Sequence, residues 1–116
     1  MPGRFISYIF ILCLIVSSCS IPTVEKEAPL INTVQGGKAF KIVLPEDHTD
    51  GYTWQLNNDF NKSLVEDKNP VWHGKEKGIY FNFNALSVGQ TTLTFVKRKY
   101  NDTGSVKTFI VKIALE

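Results

Sequence analysis

The chain has 116 residues, which is enough for one domain and too few for two domains of ordinary size. Hydrophobic residues make up 43% and aromatic residues 12%, a composition typical of a packed globular domain rather than a disordered chain. The formal net charge of +2 is too small, and the basic residues are too scattered, to predict binding to nucleic acid.

The first eighteen residues differ in character from the rest of the chain. Arg4 is the only charged residue before Glu25, and an almost unbroken apolar run, FISYIFILCLIV, extends from Phe5 to Val16. This run is too short for an ordinary transmembrane helix, which needs about 20 residues. A positive start, a short apolar stretch and small residues together predict a secretory signal peptide over residues 1–18.

The end of this segment, Val16-Ser17-Ser18-Cys19, resembles the bacterial lipobox, whose cysteine becomes lipidated and N-terminal after cleavage. The only other cysteine, Cys13, would be removed with the signal, so the domain would contain no disulfide. The resemblance implies a lipoprotein of the cell envelope, anchored through Cys19 to the periplasmic or extracellular face of a membrane. The alternative is an ordinary cleaved signal that leaves Cys19 as a free thiol.

Residues 19–30 contain two prolines and mixed charges and show no periodicity, which predicts a tether. The folded domain is expected over residues 31–116. Its hydrophobic pattern has period two, which predicts half-buried strands over residues 38–44, 78–86, 90–97 and 106–115. Turn signals separate these strands at residues 35–37, 50–51, 69–70, 88–90 and 101–104. Because no stretch shows a convincing helical period, the sequence predicts an all-β sandwich.

The sequence carries no recognisable catalytic motif. His48 and His73 are far apart, and Gly104-Ser105 lacks the rest of a nucleophile elbow. His48 with Asp47 and Asp50 could weakly hold a metal ion, but turn residues that hydrogen-bond their own backbone are the simpler interpretation. We therefore expect no enzyme activity, no metal and no cofactor.

Residues 47–54, which read DHTDGYTW, resemble the NPTTGYxW signature of chagasin-like inhibitors of papain-type cysteine proteases. The matching residues are Thr49, Gly51, Tyr52 and Trp54, and the departures are Asp47, His48 and Asp50. Gly51 permits a positive φ at the bend. Trp54 is expected in the core, under the loop. The resemblance assigns a first protease-binding loop, loop 1, to Asp47, His48, Thr49, Asp50, Gly51 and Tyr52.

Two later segments follow the order of the same family. Loop 2 is glycine-rich and precedes an alternating aromatic strand; it comprises His73, Gly74, Lys75, Glu76, Lys77 and Gly78. Loop 3 stands where the family has an Arg-Pro-Trp element, aligned either at Arg98 or one residue earlier; it comprises Lys97, Arg98, Lys99 and Tyr100. Trp72, beside loop 2, is open to two interpretations, the edge of the core or part of the interface.

The resemblance implies an immunoglobulin-like β-sandwich that presents three loops at one end. These loops would enter the active-site cleft of a papain-like cysteine protease and inhibit it reversibly, with loop 1 over the catalytic cysteine and histidine. The partner is then a protease, and the inhibitor is expected to be a monomer. The alternative is the same sandwich used as an envelope module for adhesion or protein–protein interaction without protease inhibition.

Overall fold

A computed structural model describes residues 21–115 of the chain. Eight strands and one short 3₁₀ turn make up its regular structure. The strands are β1 (Ile31–Gln35), β2 (Ala39–Leu44), β3 (Thr53–Leu56), β4 (Val65–Asp67), β5 (Val71–Trp72), β6 (Ile79–Ala85), β7 (Gly89–Lys99) and β8 (Asp102–Ala114). The 3₁₀ turn, His48–Asp50, lies between β2 and β3.

The strands form two sheets. One sheet has the order β1-β8-β7-β3, in which β1 runs parallel to β8 and the other pairs are antiparallel. In the other sheet β6 lies between β2 on one edge and, in succession, β4 and β5 on the other edge. The predicted all-β sandwich is therefore confirmed, and residues 21–115 contain no α-helix.

The core lies between the sheets and is built by the inward faces that the period-two pattern predicts. On β2 the buried residues are Phe40, Ile42 and Leu44, and on β8 they are Phe109, Val111 and Ile113. Aromatic rings join the layers: the centroids of Phe81 on β6 and Phe95 on β7 are 4.7 Å apart. Burial of these large apolar side chains is the main source of the stability of the sandwich.

The hairpin between β7 and β8 is longer than the sequence suggests. The turn predicted over residues 101–104 is wrong in extent, because the strands remain paired as far as Lys99 and Asp102. Only Tyr100 and Asn101 form the turn, and Tyr100 has a positive φ of 52°. The register shifts between Val96 and Arg98, a β-bulge next to the tip. The turn signal marked the right region, but ladder hydrogen bonds extend the strands through it.

Residues 22–28 do not behave as the loose tether that their composition suggests. Val24 is only 5% exposed and belongs to the core cluster. The amide of Val24 donates to the carbonyl of Lys41 at 2.8 Å, and the amide of Ala28 donates to the carbonyl of Thr108, also at 2.8 Å. The segment thus crosses from β2 in one sheet to β8 in the other, and the folded unit begins before residue 31.

The predicted signal peptide and Cys19 lie outside the described residues. Between residues 21 and 115, no helix has the length and apolar character needed to span a membrane.

Candidate functional site: three loops at one end of the sandwich

Strand pairing brings loops 1, 2 and 3 to the same end of the molecule. The end of β2 pairs with the start of β6 through Leu44 and Ile79, so loop 1 begins beside the end of loop 2. The start of β3 pairs with the end of β7 through Thr53 and Arg98, so loop 1 ends beside loop 3. Loop 1 therefore lies between its two neighbours, which is the order that the family resemblance implies.

Loop 1 is a compact turn held by its own side chains. Asp47 accepts a hydrogen bond from the amide of Thr49 at 3.1 Å, and Asp50 accepts one from the amide of Tyr52 at 2.9 Å. Gly51 ends the 3₁₀ turn with φ 79° and ψ −2°. A residue with a Cβ adopts this conformation only with strain, so a glycine is needed here. The interpretation of both aspartates as turn residues bonding their own backbone is confirmed.

The bond from the Thr49 amide lowers the pKa of the Asp47 carboxyl below its ordinary value of 3.8, because it stabilises the ionised form. The carboxylate therefore remains charged through the whole neutral range. A negatively charged N-cap also suits the partly positive start of a helical turn, which reinforces the geometry of residues 48–50.

Beneath loop 1 lies a buried carboxylate that the sequence analysis did not single out. Glu46 is 2% exposed, and its Oε1 accepts hydrogen bonds from the amide of Trp54 at 2.7 Å and from the hydroxyl of Thr53 at 2.9 Å. Its Oε2 lies 2.5 Å from Nε2 of His48. Glu46 thus connects His48, in the first half of loop 1, to Thr53 and Trp54 at the start of β3.

A signal for Glu46 is present in the sequence. The inward-facing positions of β2 are Phe40, Ile42 and Leu44, and the same alternation reaches Glu46 two residues further on. A carboxylate at the next position of a buried face must find hydrogen-bond partners, since an unpaired buried charge is strongly unfavourable.

Trp54 and Trp72 have different environments. Trp54 is 4% exposed, as expected for a core residue, and its Nε1 donates to the carbonyl of Pro45 at 2.8 Å. Trp72 is 42% exposed, its ring stacks on that of His48 with centroids 4.0 Å apart, and its Nε1 donates to the carbonyl of Glu46 at 2.9 Å. Trp72 therefore combines the two interpretations that the sequence left open: part of the side chain packs at the edge of the core, and part is exposed to a partner.

Loop 2 is a tight hairpin end whose backbone comes very close to β2. The amide of Gly78 donates to the carbonyl of Gly74, and the amide of His73 donates to the carbonyl of Gly78, both at 2.8 Å. A Cβ on Gly78 would lie 2.2 Å from the carbonyl oxygen of Leu44, so only glycine fits at this position. At Gly74 nothing would lie within 4 Å of an added Cβ.

Loop 3 is the exposed tip of the β7–β8 hairpin. The side chain of Tyr100 is 95% exposed. Arg98 donates to the hydroxyl of Thr103 at 3.4 Å, a long and exposed hydrogen bond. Tyr100 and Arg98 are of the residue types that most often anchor protein interfaces.

The contacts between loops 1 and 3 come from two lysine side chains. Lys97 Nζ is 4.0 Å from Asp50 Oδ2, and Lys99 Nζ lies 5.7 Å from the centre of the Tyr52 ring. Lys99 also lies against the turn, where a Cβ on Gly51 would be 3.1 Å from its Cε. Contacts of this kind, on partly exposed flexible side chains, contribute at most about 1 kcal/mol each.

No group of three or more histidine, cysteine, aspartate or glutamate side chains within residues 21–115 is arranged to hold a metal ion. Each buried polar side-chain atom of this region has a hydrogen-bond partner. The site is thus a surface formed by three loops, and its buried polar side-chain atoms are hydrogen-bonded within the protein.

Comparison with known proteins identifies the class to which this arrangement belongs. A family model described as "Chagasin family peptidase inhibitor I42" matches residues 33–113, which is well over half of the chain. The chain therefore belongs to the chagasin family of peptidase inhibitors, and it is an inhibitor rather than an enzyme. No curated protein matches the chain significantly.

Two solved structures share the fold at low sequence identity. One is the crystal structure of the cysteine protease inhibitor EhICP2 from Entamoeba histolytica, with a TM-score of 0.64 and 18% identity over 81% of this chain and 93% of that one. The other is the solution structure of amebosin, with a TM-score of 0.53 and 17% identity over 84% of this chain and 99% of that one. These likenesses support the sandwich and its strand order.

Proposed function

We propose that this peptidase inhibitor acts on papain-like cysteine proteases and blocks their active-site cleft with loops 1, 2 and 3. The observation that carries this proposal is the convergence of the three loops, from the ends of two sheets, on one end of the sandwich. Loop 1 is central in this arrangement, so it would reach deepest into a cleft while its neighbours contact the two walls. The resemblance to EhICP2, described as a cysteine protease inhibitor, is consistent with this class of target.

The geometry of loop 1 suits an inhibitor that is not cleaved. A protease binds its substrates as extended strands, whereas residues 48–50 form a 3₁₀ turn that ends at Gly51 with a positive φ. The bent backbone presents no scissile bond in an extended register. Because the turn is fixed before binding, little conformational entropy is lost when the complex forms. All three loops come from one chain, which supports a monomeric inhibitor.

A titration against papain and a cathepsin L-type protease with a fluorogenic substrate tests this function. The chain beginning at Ser20, which keeps all described residues, is compared with Gly51→Trp and Gly37→Trp variants. Both glycines have φ 79°, but Gly37 lies in the β1–β2 turn at the opposite end of the sandwich. We expect inhibition by the native chain and by Gly37→Trp, and loss of inhibition in Gly51→Trp. Inhibition that survives in Gly51→Trp would contradict the role of loop 1.

We also propose that the protein is a lipoprotein of the cell envelope, anchored through Cys19, with its loops directed away from the membrane. Thr23 forms a parallel bridge with Lys41, so the chain approaches this bridge from the side of Ala39, where β2 begins. That side is the end of the sandwich opposite to the loops. Since Val24 already lies in the core, few residues separate Cys19 from the folded unit, and the domain would sit close to the bilayer.

Metabolic labelling with an alkyne-bearing fatty acid in a bacterial host tests the anchor. We expect the native chain to carry the label and to remain in the membrane fraction. The Cys19→Ser variant should lose the label. A labelled Cys19→Ser variant, or an unlabelled native chain, would exclude lipidation at this cysteine. The protease titration is independent of this result, because it uses the chain without the anchor.

A further inference from the structure

We propose that Glu46 is a positioning residue that joins loops 1 and 2 into a single binding unit. This inference rests on the proposed function, because it explains how the inhibitory surface keeps its shape. Glu46 lies outside the three assigned loops and contributes no exposed surface of its own, so its effect on a partner would act through the residues that it holds.

The buried carboxylate of Glu46 is fully engaged by loop 1 and the start of β3. Both oxygens of Glu46 are engaged, one by the amide of Trp54 and the hydroxyl of Thr53, the other by His48. His48 is the first residue of the 3₁₀ turn, and Thr53 and Trp54 follow the turn on β3. A carboxylate is the side chain that can accept several hydrogen bonds at once from such different directions. The loop therefore closes around Glu46.

Glu46 is also connected to loop 2. The backbone carbonyl of Glu46 accepts the hydrogen bond of the Trp72 indole, and the ring of Trp72 stacks on His48, the same side chain that contacts the Glu46 carboxylate. Trp72 directly precedes His73, the first residue of loop 2. Two separate contacts thus link the strand that leads into loop 2 to the residues that surround Glu46.

The expected consequence is kinetic. When the loops are held in their binding shape, their contacts with a partner are not lost through loop motions within the complex, so dissociation is slow. Without the Glu46 side chain, the amide of Trp54 and the hydroxyl of Thr53 lose a buried partner, and His48 is released from below. Loop 1 and Trp72 would then sample other arrangements, and the complex would dissociate faster.

The test uses the 116-residue chain in mild detergent and three variants, Glu46→Ala, Glu46→Gln and Asn32→Ala. Asn32 is the matched control because it is also buried and its side chain makes three hydrogen bonds, to Lys26 and Ile110, far from the loops. Association and dissociation rates with papain are measured together with melting temperatures. Glutamine keeps the shape and an acceptor oxygen, so it provides the conservative rescue.

We expect Glu46→Ala to increase the dissociation rate more than about tenfold, with a smaller change in the association rate. Glu46→Gln should stay within about threefold of the native rate, and Asn32→Ala should lower the melting temperature without changing either rate. Equal kinetic effects of Glu46→Ala and Asn32→Ala would reduce Glu46 to a general stability role and overturn the proposal. If Glu46→Ala fails to fold, Trp72→Phe decides, because an unchanged dissociation rate in that variant would contradict the link between loops 1 and 2.

Coupling between the loops is tested by combining Glu46→Ala with Trp72→Phe, which keeps a stacking ring but removes the indole donor. If the two loops act as one unit, the fold-changes of the single variants will not multiply in the double variant. Independent multiplication would contradict the coupling.

A second readout works without any protease. Hydrogen exchange of the Trp54 amide and the Trp72 indole, followed by NMR, should accelerate in Glu46→Ala and remain unchanged in Asn32→Ala. Normal protection of the Trp72 indole in Glu46→Ala would overturn the inference. If the native chain inhibits no protease while these exchange effects occur, the proposed function fails and the positioning role of Glu46 stands.

Discussion

Loop 1 and loop 3 are neighbours at the same end of the sandwich, but they are held in different ways. Loop 1 closes over a buried carboxylate, contains two aspartate-capped turns and ends at a glycine with φ 79°. Loop 3 is a hairpin tip whose Tyr100 is 95% exposed. Loop 1 therefore has its shape before it meets a partner, whereas the exposed aromatic ring of loop 3 gains its contacts only from the partner. Substitutions in and around the three loops can test this difference.

The largest effect is expected where loop 2 approaches β2. Replacement of Gly78 by alanine places a Cβ 2.2 Å from the Leu44 carbonyl oxygen at a φ of 85°, which should lower the free energy of unfolding by about 3 kcal/mol. The matched control Gly74→Ala, with φ 95° and open space around it, should cost about 1 kcal/mol. Denaturant unfolding measures both. If both variants lose the same free energy of unfolding, the positive φ accounts for the loss and the contact with the Leu44 carbonyl does not contribute.

A smaller loss of stability is expected at the junction of loops 1 and 2. Trp72→Ala removes the stacking on His48 and the hydrogen bond to the Glu46 carbonyl, which should lower the free energy of unfolding by about 1–2 kcal/mol. It should also weaken inhibition, because the support of loop 1 is reduced. Unfolding and inhibition are measured on the same preparations. A variant with native stability and native inhibition would separate Trp72 from both roles.

Tyr100→Ala in loop 3 should weaken inhibition with almost no change in stability, unlike Trp72→Ala, which should affect both. Because the side chain is almost fully exposed, the free energy of unfolding should change by less than about 0.5 kcal/mol. Inhibition should nevertheless weaken by about tenfold, as is typical when an aromatic interface anchor is removed. Native inhibition by this variant would indicate that the complex forms through loops 1 and 2 alone.

The smallest effect concerns pH. The pKa of Asp47 is lowered by the Thr49 amide, so its contribution to stability is present above the ordinary value of 3.8 and is lost as the pH falls through its lower value in the folded state. Asp67 on β4 is exposed, but partial desolvation of its carboxyl raises its pKa. Its contribution to stability has the opposite pH dependence: it is present at low pH and is lost as the pH rises through the raised pKa. The amide shift of Thr49, followed by NMR from about pH 6 to about pH 2, should report the first change. An Asp47→Asn variant keeps an acceptor oxygen and should abolish it, while Asp67→Asn should not.

Much of the site could be predicted because its residues carry local signals. Gly51 in a run of turn-forming residues indicates a bend, and Trp54 two positions beyond Tyr52 indicates an inward-facing side chain; both predictions agree with the structure. Glu46 was missed because the alternation that continues from β2 indicates only that its side chain faces inward, and not which groups it binds. Its importance depends on the amide of Trp54, which lies eight residues away in the chain and next to it in space.

The sequence by itself determined the architecture of this protein, because alternating apolar residues can bury one face of a strand only by packing two sheets together. It also determined where the chain bends, through glycine and aspartate, whose conformations are local properties. The tertiary structure alone decided three other features. It placed Val24 in the core, extended the β7–β8 hairpin to Lys99 and Asp102, and closed loop 1 over Glu46. The physical reason is that these features depend on partners distant in sequence, and no local pattern of residues specifies them.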